Sequence, residues 1–298
     1  MSNYVNNNGL SSKSLHAPRV EFQQSWWAMR GIGRNNREWS MEEKFEHIAA
    51  AGFTGILGRL PEPEQAGLWR RKLDEFRFGF GVEAFPESRG QFADFVRQAK
   101  DFGADYISAQ VANSFVTGLD ATSLLNGLME EAALADIPFF VETHRGRITQ
   151  DLLRTTEYVQ QLPSLHLTID LSHYVLTGEI WRDVENIDPW FEPLLERTAC
   201  IHGRISNGQQ IQVDIGAGVG VGADADHPMT THFARWWEKA MRLWLAKAKA
   251  GDILPFVCEL GPEPYAIPAI HQNRWEQSLV VQQLAQRIWN KVSGSDGQ

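Results

Sequence analysis

From about Phe22 onward, apolar runs of strand length alternate with amphipathic stretches of helical length. Eight runs stand out, near residues 25–31, 52–57, 77–83, 104–111, 138–143, 165–171, 199–205 and 254–260. Strands buried on both faces read as nearly continuous apolar stretches, so these runs predict a parallel sheet. Their alternation with helices predicts right-handed βαβ units. Eight units in 298 residues fit a single-domain (β/α)8 TIM barrel, which takes about 250 residues.

The segment "SMEEKFEHIAAAG" opens with Ser40 as N-cap and Glu43 three residues later, and closes at Gly52, the pattern of a capping box with a C-terminal glycine. "RGQFADFVRQAKDFG", "DATSLLNGLMEEAALAD", "TQDLLRTTEYVQQL" and "HFARWWEKAMRLWLAKAKAG" repeat apolar residues at three- and four-residue spacing, as helices packed on one side do. A last helix is expected over 273–292. Residues 1–21 are then a flexible N-terminal arm, 22–292 the barrel and 293–298 a frayed tail. One stretch breaks the rhythm: between Arg204 and Thr231, "DIGAGVGVGADADHP" is too weakly apolar for a core. Long loops in compact domains usually serve function, so this one is expected to cover the barrel mouth. Its Asp224, Asp226 and His227 read first as a solvated loop, with an extra metal ligand as the alternative. Its alternating glycines from Gly216 to Gly222 do not lead from a strand into a capped helix and predict no nucleotide site.

Hydrophobic residues at 43% and charged residues at 22% fit a globular chain with a large core. The net charge of −9 offers no footprint for a polyanion, and the cluster Arg70-Arg71-Lys72 is followed at once by Asp74 and Glu75, so no nucleic-acid partner is expected. Nowhere do about 18 apolar residues run together, and the N-terminus lacks the apolar centre of a secretory signal, so no membrane partner is expected. Cys200 and Cys258 fall inside predicted strands rather than in a disulfide framework, which favours a reducing cytoplasm. Of 11 tryptophans, Trp26 and Trp27 fall in the first predicted strand, where Trp27 is equally suited to walling a pocket and to packing. Trp236, Trp237, Trp244 and Trp289 lie at helical spacing and suit the core or a contact between copies of the chain in a homo-oligomer.

The chemistry gathers at strand ends. "PFFVETH", "LHLTIDLSHY", "ACIHGRIS" and "PFVCELGPEPY" each close on a metal-capable side chain: Glu142, Asp170, His202 and Glu259. Alternate strand residues face the same way, so Phe140 goes with Glu142, Thr168 with Asp170, Cys200 with His202 and Val257 with Glu259. In a closed parallel barrel such residues converge at the carboxyl-terminal mouth. Three oxygen ligands and one imidazole suit one divalent ion, with Mn2+, Mg2+ or Co2+ favoured and Zn2+ acceptable. Glu142 to Asp170 and Asp170 to His202 are each about one βα unit apart, roughly 30 residues. Just past Glu142, His144, Arg145 and Arg147 carry donors able to grip hydroxyls or anions, with solvation equally expected for Arg147. Arg204 shares the parity of His202.

These strand ends resemble those of the xylose isomerase-like barrel superfamily of sugar isomerases and epimerases, which also contains endonuclease IV. The resemblance spans roughly residues 22 to 292 and implies that Glu142, Asp170, His202 and Glu259 bind one divalent metal. Asp170-Leu171-Ser172-His173 matches the family's Asp-x-x-His pattern and implies that His173 contacts substrate. Position 208, where family epimerases commonly carry an arginine, is glycine, leaving Arg204 as the candidate in that role. The endonuclease branch adds histidines on earlier strands, whereas "GILGRL", "GVEAF" and "SAQVANSF" contain none.

A metal so held acidifies the C–H between a carbonyl and a hydroxyl, and epimerisation needs a base on one face of that carbon and an acid on the other. Glu142 and Glu259 are the expected catalytic pair, with His173, Arg204, His144, Arg145 and Trp27 as substrate contacts. The expected function is isomerisation or epimerisation of a small sugar or polyol-derived substrate through an enediolate. The same enolate chemistry admits a keto-polyol dehydratase as the alternative. A non-catalytic sugar-binding barrel is disfavoured by the intact ligand set, and an endonuclease IV-like hydrolase by the acidic charge and missing histidines.

Overall fold

The computed structural model describes residues 16–35, 37–182, 184–216, 227–265 and 274–294. The first half of the chain runs β1 (Arg19–Ser25), the hairpin β2 (Gly33–Arg34) and β3 (Arg37–Glu38), α1 (Met41–Ala50), β4 (Gly55–Gly58), α2 (Pro63–Phe76), β5 (Gly79–Ala84), α3 (Arg89–Phe102), β6 (Tyr106–Ala109) and α4 (Gly118–Leu134). The second half runs β7 (Phe139–Glu142), α5 (Leu152–Gln161), β8 (Leu167–Ile169), α6 (Leu171–Thr177), α7 (Asp188–Leu195), β9 (Thr198–Gly203), α8 (Pro228–Leu245), β10 (Ile253–Cys258) and α9 (Arg274–Ser293). Strands β1 and β4 to β10 pair in parallel and close into a barrel, with β1 bonded to both β10 and β4. The expected eight-stranded parallel barrel is therefore the fold.

Seven of the predicted strands match these elements; the first shares only Ser25 with β1. β1 occupies Arg19–Ser25, beginning inside the stretch expected as a loose arm, and Trp27–Met29 form a 3-10 turn where a strand was expected. The physical reason lies in "RVEFQQS", a polar strand whose burial is paid for by a hydrogen-bond network inside the barrel. The Gln23 amide donates to Oε1 of Glu21 at 2.7 Å, and its oxygen accepts from the Tyr106 hydroxyl at 2.8 Å. At α1 the expected capping box is present: Oγ of Ser40 accepts from the Glu43 amide, and the Glu43 carboxylate accepts from the Ser40 amide.

Leu57, Tyr106, Phe140, Cys200 and Val257 form a separate buried cluster. Phe140, Cys200 and Val257 share strand parity with Glu142, His202 and Glu259, so the cluster plugs the barrel interior and gives the mouth an apolar floor. The Tyr106 ring crosses directly over Gly81, where a Cβ would lie 2.2 Å from it. A larger shell packs strands against helices, and Trp236, Trp237, Trp244 and Trp289 are buried within it. Those four tryptophans are core residues of one chain rather than an exposed contact surface. Cys200 and Cys258 are both free and buried. Among the described residues, no helix is long and apolar enough to cross a membrane.

Candidate metal centre and cavity

Glu142 ends β7, Asp170 follows β8, His202 lies near the end of β9 and Glu259 follows β10. Parallel strands deliver all four to one end of the barrel, where one ligand atom from each lies within 4.8 Å of the others. All four are buried. Nδ1 of His202 is 3.1 Å from Oε2 of Glu259 and 3.7 Å from Oε1 of Glu142. Asp170 caps α6, its Oδ1 accepting from the Ser172 amide at 3.0 Å, and its own amide donates to Oγ1 of Thr143 at 2.8 Å. Gln110 donates to Oε2 of Glu142 at 3.1 Å.

Both ring nitrogens of His202 and Oε1 of Glu142 are buried without an aligned hydrogen-bond partner. Leaving such atoms unpaired is costly. Three carboxylates and an imidazole converging around those atoms form a donor set that fits one divalent ion.

The charges divide unevenly. Burial pushes Glu142 up, and the charges of Glu259 and Asp170 add to that against the pull of His202. Burial also acts on Glu259, but His202 and Arg204 outweigh it and hold this carboxyl well below its ordinary range. Burial opposes charge on His202, yet the Glu259 and Glu142 carboxylates overcome it and hold the imidazole well above its usual value. The site thus contains a carboxyl that favours its proton beside one that favours ionisation.

A cavity of about 770 Å³ opens above these residues. Trp27, His144, Arg147 and Arg204 line it, together with Glu259. Trp27 meets Tyr265 edge to face at 5.1 Å and presses on Gly261, where a Cβ would lie 2.1 Å from the indole. The tryptophan both walls the pocket and packs. His173 and Arg145 are not among the lining residues. His173 is fully buried behind His144, with ring centroids 3.8 Å apart, and Arg145 folds over Tyr265. Burial holds His144 at about 3 and His173 well below its ordinary value, so both are neutral.

Glu142, His144 and His173 form a second group with metal-ligand spacing. The two nitrogens of His173 already face guanidinium nitrogens, Nη1 of Arg145 at 3.0 Å and Nη2 of Arg204 at 3.2 Å. A further cation there would meet two positive charges.

Glu83, Gln110 and Tyr265 are among the lining residues that escaped the sequence reading. Glu83 points inward from β5, and burial, reinforced by the charge of Glu259, raises it to about 7. Of the expected lid, residues 204–216 pack down: the Gly261 amide donates to Oε1 of Gln212 at 2.7 Å, and the Val213 amide to the Ile205 carbonyl at 3.1 Å. His227 caps α8, its Nδ1 accepting from the Met229 amide. Asp224 and Asp226 lie outside the described residues.

No family model matches the sequence, and no curated protein matches it either. Solved structures share the fold across nearly their whole length. D-allulose 3-epimerase from Methylomonas sp., in complex with D-allulose, aligns at a TM-score of 0.57 with 13% identity, over 92% of this chain and 99% of that one. L-ribulose 3-epimerase aligns at 0.59 with 10% identity, over 93% and 96%. A xylose isomerase-like TIM barrel protein from Mycobacterium smegmatis, in complex with magnesium, aligns at 0.56 with 10% identity, over 95% and 98%. The chain shares the parallel eight-stranded barrel fold of these proteins.

Proposed function

We propose that this chain is a divalent-metal-dependent isomerase or epimerase of a small sugar or sugar derivative. The observation that carries the reading is the convergence of Glu142, Asp170, His202 and Glu259 at the strand ends, within 4.8 Å of one another and beneath an open cavity. Two neighbours of the same fold are epimerases of D-allulose and L-ribulose, and a third was solved with magnesium.

Glu142, Asp170, His202 and Glu259 would hold the ion, with Mn2+, Mg2+ or Co2+ preferred over Zn2+. Bound there, the ion would supply Lewis-acid polarisation of a carbonyl and its adjacent hydroxyl. Glu259, kept ionised by His202 and Arg204, suits the base that removes the proton from the carbon between them. Glu142, three strands round the barrel from Glu259, suits the acid that returns a proton from another direction. Arg204 would donate to substrate oxygens, and His144, whose Nδ1 donates to the Arg145 carbonyl, would accept from a substrate hydroxyl at Nε2, with Trp27 as an apolar wall. His173 would steady Arg204 and His144 from behind, as would Arg145 through His173.

A second reading, dehydration of a keto-polyol through the same enolate, is favoured by Glu83. An inward carboxyl raised to about 7 is an acid available to a departing hydroxyl. Both readings are tested by incubating the protein and Mn2+ with a panel of ketoses and analysing products, with and without a chelator. Metal-dependent conversion to an isomer supports the first reading, a product lighter by water supports the second, and conversion unaffected by chelation contradicts both.

A further inference from the structure

The four proposed ligands are not equally free. Glu142 and His202 present buried atoms with no hydrogen-bond partner, whereas both oxygens of Asp170 are engaged. Its Oδ1 accepts from the amide and hydroxyl of Ser172, and its Oδ2 meets Nη2 of Arg204 in a close ion pair. The same Nη2 lies 3.4 Å from Oε2 of Glu259, so one guanidinium nitrogen touches two of the four ligands. Arg204 is 1% exposed, its Nε donates to Oγ of Ser172 at 3.1 Å, and its guanidinium lies 5.1 Å over the Tyr265 ring. Its Nη1 is buried without a partner.

We propose that Arg204 is a tethered cation that competes with the divalent ion for Asp170 and Glu259, so that the chain binds its metal weakly and exchangeably. The inference rests on the metal centre proposed above. Arg204 keeps its charge when an ion arrives, because a guanidinium does not deprotonate in proteins. An ion arriving between Asp170 and Glu259 must therefore bear a like charge within a few ångströms, in a site where burial keeps that repulsion strong, or displace the arginine. The displaced fork has somewhere to go, since Arg204 also lines the cavity. Metal entry would then turn its unpartnered Nη1 and freed Nη2 toward substrate oxygens.

A residue that merely orients Asp170 would behave in the opposite way: removing it would loosen the metal. The test is calorimetric titration of Mn2+ into wild type, Arg204→Met and Arg204→Lys, after melting curves establish that each is folded. Arg204→Met should tighten Mn2+ by roughly tenfold or more, the scale of one nearby like charge removed, while Arg204→Lys, which keeps the charge, stays within a few-fold of wild type. Should the methionine variant fail to fold, Arg204→Gln retains an amide donor for Asp170 without the charge and should show the same tightening. Metal bound by wild type but equally or less tightly by the uncharged variant overturns the competition and leaves the metal centre standing. If neither binds Mn2+, the metal centre falls and the inference with it.

Discussion

Nδ1 of His202 lies 3.1 Å from Oε2 of Glu259, although the β9–β10 register pairs His202 with Val257 rather than with the glutamate two residues on. The inward parity shared by Val257 and Glu259 carries the carboxylate over the neighbouring strand, onto the imidazole. The charges of Glu259 and Glu142 together favour a proton on the imidazole, which a metal ion must displace.

Metal binding should therefore release protons. His202 and Glu142 are both shifted upward, so at low pH each holds a proton where a ligand lone pair is needed. Mn2+ affinity should rise from pH 6 to pH 8. Calorimetry in two buffers of different protonation enthalpy should show net proton release at neutral pH. An affinity independent of pH would remove His202 and Glu142 from the ligand set.

Glu83 should make the stability of the metal-free protein depend on pH in a defined direction. Glu83 is raised from 4.5 to about 7 in the folded chain, so between those values the native state binds more protons than the unfolded one. The contribution is complete below about 4.5 and is lost as pH climbs through 7, by at most about 3 kcal/mol. Glu142 acts in the same sense. Glu259 acts in the opposite one, its contribution vanishing as pH falls below the ordinary carboxylate range. The buried, neutral His144 and His173 also oppose Glu83, costing stability as pH falls below the ordinary histidine range. The contribution of Glu83 is therefore read as a difference: wild type should lose stability relative to Glu83→Gln from pH 5 to pH 8. Parallel curves for the two proteins would show that Glu83 does not titrate as its surroundings imply.

The strands that carry the proposed ligands were legible because their outward residues are apolar and their inward ends polar, so parity and hydrophobicity pointed the same way. β1 was not. Gln23 and Gln24 are buried in it, with Gln23 satisfied by a tyrosine 83 residues away that no local pattern reveals. The apolar pair Trp26-Trp27 drew the expected strand too far along the chain. Glu83 went unread because a single inward carboxylate gains meaning only from Glu259, which the barrel brings near. His173 matched a motif spacing, but α6 starts at Leu171, directly after Asp170. That helical turn carries the imidazole behind the cavity wall.

The floor of the site should be intolerant of a single methyl group. A Cβ at Gly81 would lie 2.2 Å from the Tyr106 ring, which stacks on Phe140 and is held at its hydroxyl by Gln23. Gly81→Ala should cost about 3 kcal/mol in urea unfolding through overpacking. In α3, Gly90 has nothing within 4 Å of such a Cβ, and Gly90→Ala should be neutral or gain about 0.5 kcal/mol. Equal effects at both positions would contradict the barrel packing described for Tyr106.

Proton transfer at a substrate carbon is the centre of the account, and solvent isotope incorporation reads it most directly. With Mn2+ and a ketose that the protein converts, wild type in deuterated water should place deuterium on the carbon beside the carbonyl. Glu142→Gln and Glu259→Gln, each with its metal content measured separately, should lose that exchange. Deuterium entering at the wild-type rate in both metal-loaded variants, or turnover of the ketose by wild type with no deuterium at that carbon, would contradict the two-glutamate mechanism.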